Sequence, residues 1–163
     1  LFSGQLFIIQ LKSDVKIPVS IRERTDVLTP DDYEARKNSD RFFMTGNETF
    51  DRQFEVKFGN TNRASGFEET IDGMSPDAQR AYVHSLIDNL TNDIISADSY
   101  ASSRTLMRFF KDRLYVAIEN SRDTFEFKRS DIRHIKLLKE RFDEEAQTMT
   151  SYLDLITHSL PKS

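Results

Sequence analysis

The sequence predicts an α+β domain: an antiparallel sheet of about five to seven strands, covered on one face by two main helices at 75–95 and 130–157. Several short segments alternate apolar and polar residues, which is the pattern of half-buried strands. Two longer segments repeat apolar residues at intervals of three and four, which is the pattern of amphipathic helices. The length of 163 residues suits one soluble domain spanning 1–163.

Two strands are predicted near the start of the chain. Residues 5–11 form a short apolar run rich in Phe and Ile without clean alternation, which favours a buried strand. From Val15 to Ile21 branched apolar residues alternate with polar ones, which predicts a second strand. Because Pro18 cannot donate a ladder hydrogen bond, we expect this strand at a sheet edge or with a bulge.

The next elements are a short helix and a third strand. Thr29 followed by Pro30 has the order of a helix cap and first turn, which predicts a helix through about Lys37. Charged and polar residues make 31–41 a solvated connection. Alternation over 53–58 predicts a strand, and Gly59 ends it. Residues 60–66 have the composition of a loop.

The second half of the chain predicts a helix, a hairpin and a further helix. Ser75, Pro76 and Asp77 are the strongest helix-start signal, and the apolar stripe after them extends to about Ile95. Segments 105–110 and 113–119 predict a hairpin with its apolar side chains Leu114, Val116 and Ile118 facing the core. Residues 124–127 predict a further short strand.

The predicted helix at 130–157 is long for a domain of this size. About 27 residues at ~1.5 Å each give ~40 Å, which is about the full width of the domain. The helix either lies along the sheet or pairs with a partner, which leaves a homo-oligomer through this helix open. Glu145 interrupts a heptad following Leu138, so packing within the domain is favoured over a coiled coil.

Composition excludes several classes of protein. The net charge of −4 disfavours a nucleic-acid binder. The absence of cysteine excludes disulfides, thiolate nucleophiles and cysteine-ligated metal centres. With five glycines and no phosphate-binding or dinucleotide motif, no cofactor is predicted. No apolar run approaches the ~20 residues of a membrane span.

One pair of residues has the spacing of a polar site. His84 and Asp88 are four apart on the predicted helix, so their side chains share a face, where they could hold a metal or act as base and acid. A metal-dependent hydrolase would need a further carboxylate such as Glu68 or Glu69. An ordinary solvated helix pair is the more common arrangement, so no catalytic or metal residue is assigned.

A basic stretch surrounds the predicted hairpin turn. Arg108, Lys111 and Arg113 are interleaved with the aromatic residues Phe109 and Phe110. Cations beside aromatic side chains suit contact with anionic lipid headgroups. The alternative is a hairpin whose cations simply face water.

Two Phe-anchored segments carry a resemblance to a known family. Residues 50–56, with the sequence FDRQFEV, and 110–118, with FKDRLYVAI followed by DTFE at 123–126, resemble a bacterial family of unknown function sometimes labelled galanin-like. The opening Phe2, Ser3, Gly4 and Phe7 are also similar to the start of that domain. The resemblance spans about residues 2–127.

The resemblance implies a membrane-anchored protein. Members of that family carry a membrane-spanning helical hairpin before a soluble C-terminal domain. We therefore expect this chain to be excised from a longer one with an upstream anchor, and to lie on the cytoplasmic face of a bacterial inner membrane. The expected function is a non-enzymatic interaction or regulatory module that binds a protein partner. The alternatives are the metal-dependent hydrolase and a peripheral anionic-lipid-binding domain.

Overall fold

A computed structural model describes residues 4–39, 41–59, 73–98, 104–119 and 135–160. Within these ranges five strands form one antiparallel sheet in the order β1-β5-β4-β2-β3, which confirms the α+β prediction. The strands are β1 (Gly4–Gln10), β2 (Val19–Glu23), β3 (Phe54–Phe58), β4 (Thr105–Phe110) and β5 (Arg113–Glu119). The helices are α1 (Pro30–Lys37), α2 (Glu48–Gln53), α3 (Pro76–Ile87), α4 (Thr91–Asp98) and α5 (Ile135–Ser159).

The hairpin of β4 and β5 is closed by a two-residue turn. Phe110 pairs with Arg113, so only Lys111 and Asp112 lie between the strands. Lys111 has a φ of 54°, the left-handed conformation that tight hairpin turns require. The predicted hairpin is confirmed, and the predicted inward residues of β5 are buried.

One face of the sheet is covered by helices. Apolar side chains alternate along each strand and pack against residues from α3, α4 and α5, as the sequence predicts. The strand residues of this core include Val19, Ile21, Val56, Met107, Phe109, Leu114, Val116 and Ile118. The helical side contributes Val83, Leu86, Ile87, Leu90, Ile94 and Ile156.

The predicted position of the second strand is wrong. β2 lies inside the sheet, between β4 and β3, and it begins at Val19. Pro18 precedes the first strand residue, so its missing N–H removes no ladder bond. Its carbonyl oxygen accepts a bond from the Gly59 amide at 3.1 Å.

The predicted helix at 75–95 is two helices. Ser75 caps α3 as expected, but the backbone leaves helical pairing after Ile87 and resumes at Thr91. The Leu90 amide donates to the Ile87 carbonyl, three residues back, and the Thr91 hydroxyl donates to the Asp88 carbonyl at 3.1 Å. A threonine hydroxyl that bonds the backbone locally competes with helical pairing. The break buries Leu90 completely.

Helix α2 was not expected from the sequence. Asn47 caps it by accepting from the Phe50 amide, and Phe50 is fully buried in the core. The carboxylate of Asp51, also buried, accepts from the amide and hydroxyl of Thr45, both at 2.9 Å, and from the Gly46 amide at 3.1 Å. These bonds hold the connection before α2 against that helix.

Some predicted elements lie outside the described residues. They are the loop 60–66, the short strand 124–127 and the first part, 130–134, of the predicted final helix. From Ile135 the chain is helical for 25 residues, to Ser159. Within α5, Ile156 is buried in the core, and Met149 and Leu153 pack against it.

Candidate binding surface

The face of the sheet opposite the helices carries exposed side chains, and we call it the outer face. Every second residue of β4 is buried, and the residues between them, Leu106, Arg108 and Phe110, are exposed. Two rows cross the outer face from β1 to β4. One row consists of Leu6, Ala117 and Leu106, and the other of Ile8, Tyr115 and Arg108.

Large apolar side chains lie exposed on this face. The exposed fraction is 58% for Leu6, 54% for Ile8, 43% for Leu106 and 38% for Phe110. Single exposed apolar residues are ordinary, but a contiguous group of them on a folded domain typically marks an interaction surface. Because the registers place Leu6, Ile8 and Leu106 in adjacent rows, the outer face has this character.

Cations surround the exposed Phe110 at the hairpin turn. The Arg108 guanidinium carbon and the Lys111 Nζ each lie 5.6 Å from the centre of the Phe110 ring. Arg113 is opposite Phe110 in the register and points to the same face. The structure therefore brings together the three cations predicted as an anionic contact, and we call Arg108, Phe110, Lys111 and Arg113 the hairpin patch.

One carboxylate lies within the hairpin turn. The Gln10 side-chain amide donates to Asp112 Oδ2 at 2.8 Å, and this bond is the main reason that the pKa of Asp112 is lowered. The other carboxylate oxygen lies 3.7 Å from Arg113 Nε. Asp112 thus stays ionised at neutral pH and offsets part of the positive charge of both Arg113 and Lys111.

The outer face becomes more charged toward β3. Arg22 on β2 is paired with Leu106 on β4. Ser20 on β2 is paired with Arg108 on one side and with Lys57 on the other, so Lys57 lies at the far end of the row that contains Arg108. Glu55 Oε2 lies 3.1 Å from Lys57 Nζ. The outer face is therefore apolar over the middle of β1 and β5 and mixed in charge over β2 and β3.

The predicted polar pair is formed, but at the surface. His84 Nδ1 lies 3.3 Å from Asp88 Oδ1, and both side chains are well exposed. The His84 ring packs on Phe43 with 4.6 Å between ring centres. Within the described residues, no group of three His, Asp or Glu could hold a metal ion. Glu68 and Glu69, the carboxylates of the hydrolase hypothesis, lie outside the described residues.

A cavity of about 520 Å³ lies between the β1–β2 connection and α3. Its size suits a small ligand, but such sites also need convergent polar groups to orient the ligand. Three hydroxyl groups of its wall are engaged within the protein. The Tyr82 hydroxyl accepts from the Lys16 amide at 3.0 Å, and the hydroxyls of Ser85 and Thr157 donate to helix carbonyls. The cavity is therefore a weaker candidate than the outer face.

The cations of the hairpin patch are visible in the sequence as a cluster, but the apolar part of the outer face was not predicted from it. The signal for Leu106 is the strict alternation of β4, which places its side chain on the face of the sheet opposite to that of the buried Met107. The signal for Leu6 and Ile8 is the run of apolar residues on both faces of β1. Strands of that kind are usually covered on both faces.

Comparisons with protein-family models, curated proteins and solved structures gave no match. In the part of the chain that the structure describes, no helix is both long enough and apolar enough to cross a membrane.

Proposed function

We propose that this chain is a non-enzymatic interaction module and that its outer face binds a protein partner. The observation that carries the proposal is the register that places Leu6, Ile8 and Leu106 in adjacent exposed rows. Apolar side chains in contact with water gain free energy when a partner covers them, at roughly 25 cal/mol per Å². The exposed side chains of Leu6, Ile8 and Leu106 offer such a surface.

The charges on the outer face favour a particular kind of partner. Arg22 on β2 is paired with Leu106, and Arg108 is the next outer-face residue along β4. Lys111 and Arg113 lie at the hairpin turn. A complementary segment would present apolar side chains to Leu6, Ile8 and Leu106 and carboxylates to these cations. We therefore infer an acidic, amphipathic protein segment as the partner.

Membrane attachment belongs to the same proposal. The resemblance to the bacterial membrane-anchored family supports an upstream anchor and a position on the cytoplasmic face of the inner membrane. In that arrangement the module would hold its partner near the membrane, which is a regulatory or assembly role.

Site-specific photo-crosslinking tests the protein partner. Leu106 is replaced by p-benzoylphenylalanine in cells that express the protein natively, and Ala35 on α1 is replaced in the same way as the control. We expect a protein adduct at position 106 that is absent at 35. Mass spectrometry of the adduct should identify an acidic, amphipathic segment.

A charge-reversal pair makes this experiment specific. Arg108→Glu should reduce the adduct at position 106 several-fold, because it replaces attraction of carboxylates by repulsion. Lys37→Glu reverses an exposed charge on α1 and should leave the adduct unchanged. Equal adducts at positions 35 and 106, or an adduct insensitive to Arg108→Glu, would contradict the proposal.

A peripheral anionic-lipid contact is the second candidate, and the hairpin patch favours it. Arg108 and Lys111 beside an exposed Phe110 combine cations with an aromatic ring that suits the headgroup region. Near an anionic bilayer each cation contributes about 1 kcal/mol. Sedimentation with phosphatidylglycerol vesicles, compared with phosphatidylcholine vesicles, tests it. Binding that is unchanged by anionic lipid or by Arg108→Glu would exclude this candidate.

A further inference from the structure

The outer edge of β1 has the features of a dimer contact. We propose that β1 pairs antiparallel with β1 of a second copy about a two-fold axis at Phe7, so that the sheets of the two copies join into one. This goes beyond the binding surface proposed above, because it uses the backbone edge of the sheet and names the occupant of that edge.

The direction of the backbone groups in β1 supports this pairing. The Leu11 amide donates to the Asp112 carbonyl at 2.7 Å, directly after the paired segment of β1 and β5. Because peptide groups alternate in direction along a strand, those of Ile9 and Phe7 also point toward β5. Those of Gln10, Ile8, Leu6 and Gly4 point away from it. No strand among the described residues pairs with them.

The two edges of the sheet differ in their protection. Exposed edges usually carry charged residues or proline, which discourage pairing with another chain. The five-residue edge strand β3 follows this rule, with Glu55 and Lys57. The seven residues of β1 include no charged residue and no proline. Of the two edges formed by the described residues, β1 is therefore the one open to pairing.

A two-fold axis at Phe7 makes β1 complementary to itself. Leu6 then lies opposite Ile8 of the second copy, and Gly4 opposite Gln10 of the second copy. Every outward-pointing peptide group meets another outward-pointing group, as an antiparallel ladder requires. The exposed Leu6 and Ile8 side chains of both copies become neighbours on the outer face, so the exposed apolar group of β1 continues across the interface.

The charges at the two ends of this interface also match. Gln10 pairs with Arg113, and Gly4 pairs with Glu119. When Gly4 of one copy lies beside Gln10 of the other, Arg113 and Glu119 of different copies come into the same row on the outer face. Each end therefore places opposite charges in one row, about 14 Å apart across the two β1 strands, so their attraction is weak.

Sedimentation equilibrium of the purified chain tests the dimer. We expect a concentration-dependent dimer whose dissociation constant rises at least ten-fold in Ile8→Pro. The Ile8 amide points away from β5, so proline there removes an outward donor and leaves the β1–β5 bonds intact. Leu6→Lys, which places two lysines near the axis, should weaken the dimer in the same direction and covers the case in which Ile8→Pro does not fold.

Two controls on the outer face separate this proposal from the binding surface. Leu106→Lys adds a charge to an exposed apolar position two strands from the edge, and Arg108→Glu alters the hairpin patch. Neither should change the dissociation constant of the dimer. Loss of partner binding with an intact dimer, or the reverse, would therefore show which of the two proposals fails.

Cysteine cross-linking tests the register, because the natural sequence contains no cysteine. Gly4→Cys mixed with Gln10→Cys should form a disulfide between copies, since residues facing each other in an antiparallel pair have Cα atoms about 5.5 Å apart. Either variant alone should not, because two residues at position 4 are about 20 Å apart along the strands.

Three results would overturn the proposal. The first is a chain that stays monomeric at millimolar concentration. The second is a dimer that keeps its affinity in both Ile8→Pro and Leu6→Lys and gives no mixed disulfide, since another surface then forms it. The third is slow hydrogen exchange of the Ile8 and Gln10 amides in the monomer, since a segment of the same chain then covers the edge.

Discussion

The two faces of the sheet carry similar apolar residues, which are buried on one face and exposed on the other. Phe109 and Phe110 are adjacent on β4, yet Phe109 is fully buried beneath the helices and Phe110 lies beside two cations at the hairpin turn. Met107 and Leu106 differ in the same way. The comparison shows that apolar content alone does not distinguish a core position from a surface position. The helices that cover one face make the difference.

The largest effect is expected from the buried phenylalanine. Phe109→Ala should lower the free energy of unfolding by about 3–5 kcal/mol, because it removes a ring from a closely packed core and leaves a cavity. Phe110→Ala should lower it by less than about 1 kcal/mol, since the change lies on the surface. Urea unfolding followed by circular dichroism measures both. Similar losses in the two variants would show that the outer face is also covered.

A buried carboxylate gives the next largest effect. Asp51→Ala should lower the free energy of unfolding by about 1–3 kcal/mol, because the donors at Thr45 and Gly46 lose their acceptor. Asp154→Ala removes an exposed carboxylate from α5 and serves as the control, with an expected change within about 0.5 kcal/mol. If the two variants unfold alike, the bonds of Asp51 to Thr45 and Gly46 contribute little to the stability of the fold.

The smallest effect is expected for the pKa of Asp112 at the hairpin turn. The Gln10 amide holds the pKa of Asp112 below its ordinary value, so Gln10→Ala should raise that pKa. A lowered carboxyl pKa contributes stability above the unfolded-state pKa, and the contribution is lost as the pH falls through the folded-state pKa. Any difference in stability between the wild type and Gln10→Ala is therefore confined to neutral and mildly acidic pH and disappears in strong acid.

Carboxyl chemical shifts measured against pH by NMR test this prediction. Gln53→Ala, which changes a glutamine on α2, is the control and should leave the Asp112 titration unchanged. An Asp112 titration that is the same in Gln10→Ala and the wild type would show that the bond is not populated in solution.

Local signals predicted the elements that depend on local chemistry. Thr29 and Ser75, each followed by proline, start helices where the sequence indicates, since a hydroxyl cap and a first-turn proline act within a few residues. Helix α2 was missed because its six residues are too few to show a period. The break near Leu90 was missed because the apolar spacing continues through it and neither Gly nor Pro marks it.

Long-range pairing could not be predicted from the sequence. Nothing near Val19 indicates that its strand lies between β3 and β4, because strand order depends on partners far along the chain. The same limit applies to the candidate surface. The cations at 108–113 form a visible cluster in the sequence, but Leu6 joins Leu106 only through β5, which lies between them.

The pairing of β1 with β5 determines when the sheet can form during synthesis. Gln10 and Asp112 are joined by a hydrogen bond although they are 102 positions apart. At about 5–20 residues per second, a ribosome needs roughly 5–20 s to add the residues between them. Throughout that interval the nascent β1 is without its partner strand, so its apolar residues are a natural target for a chaperone until β5 emerges.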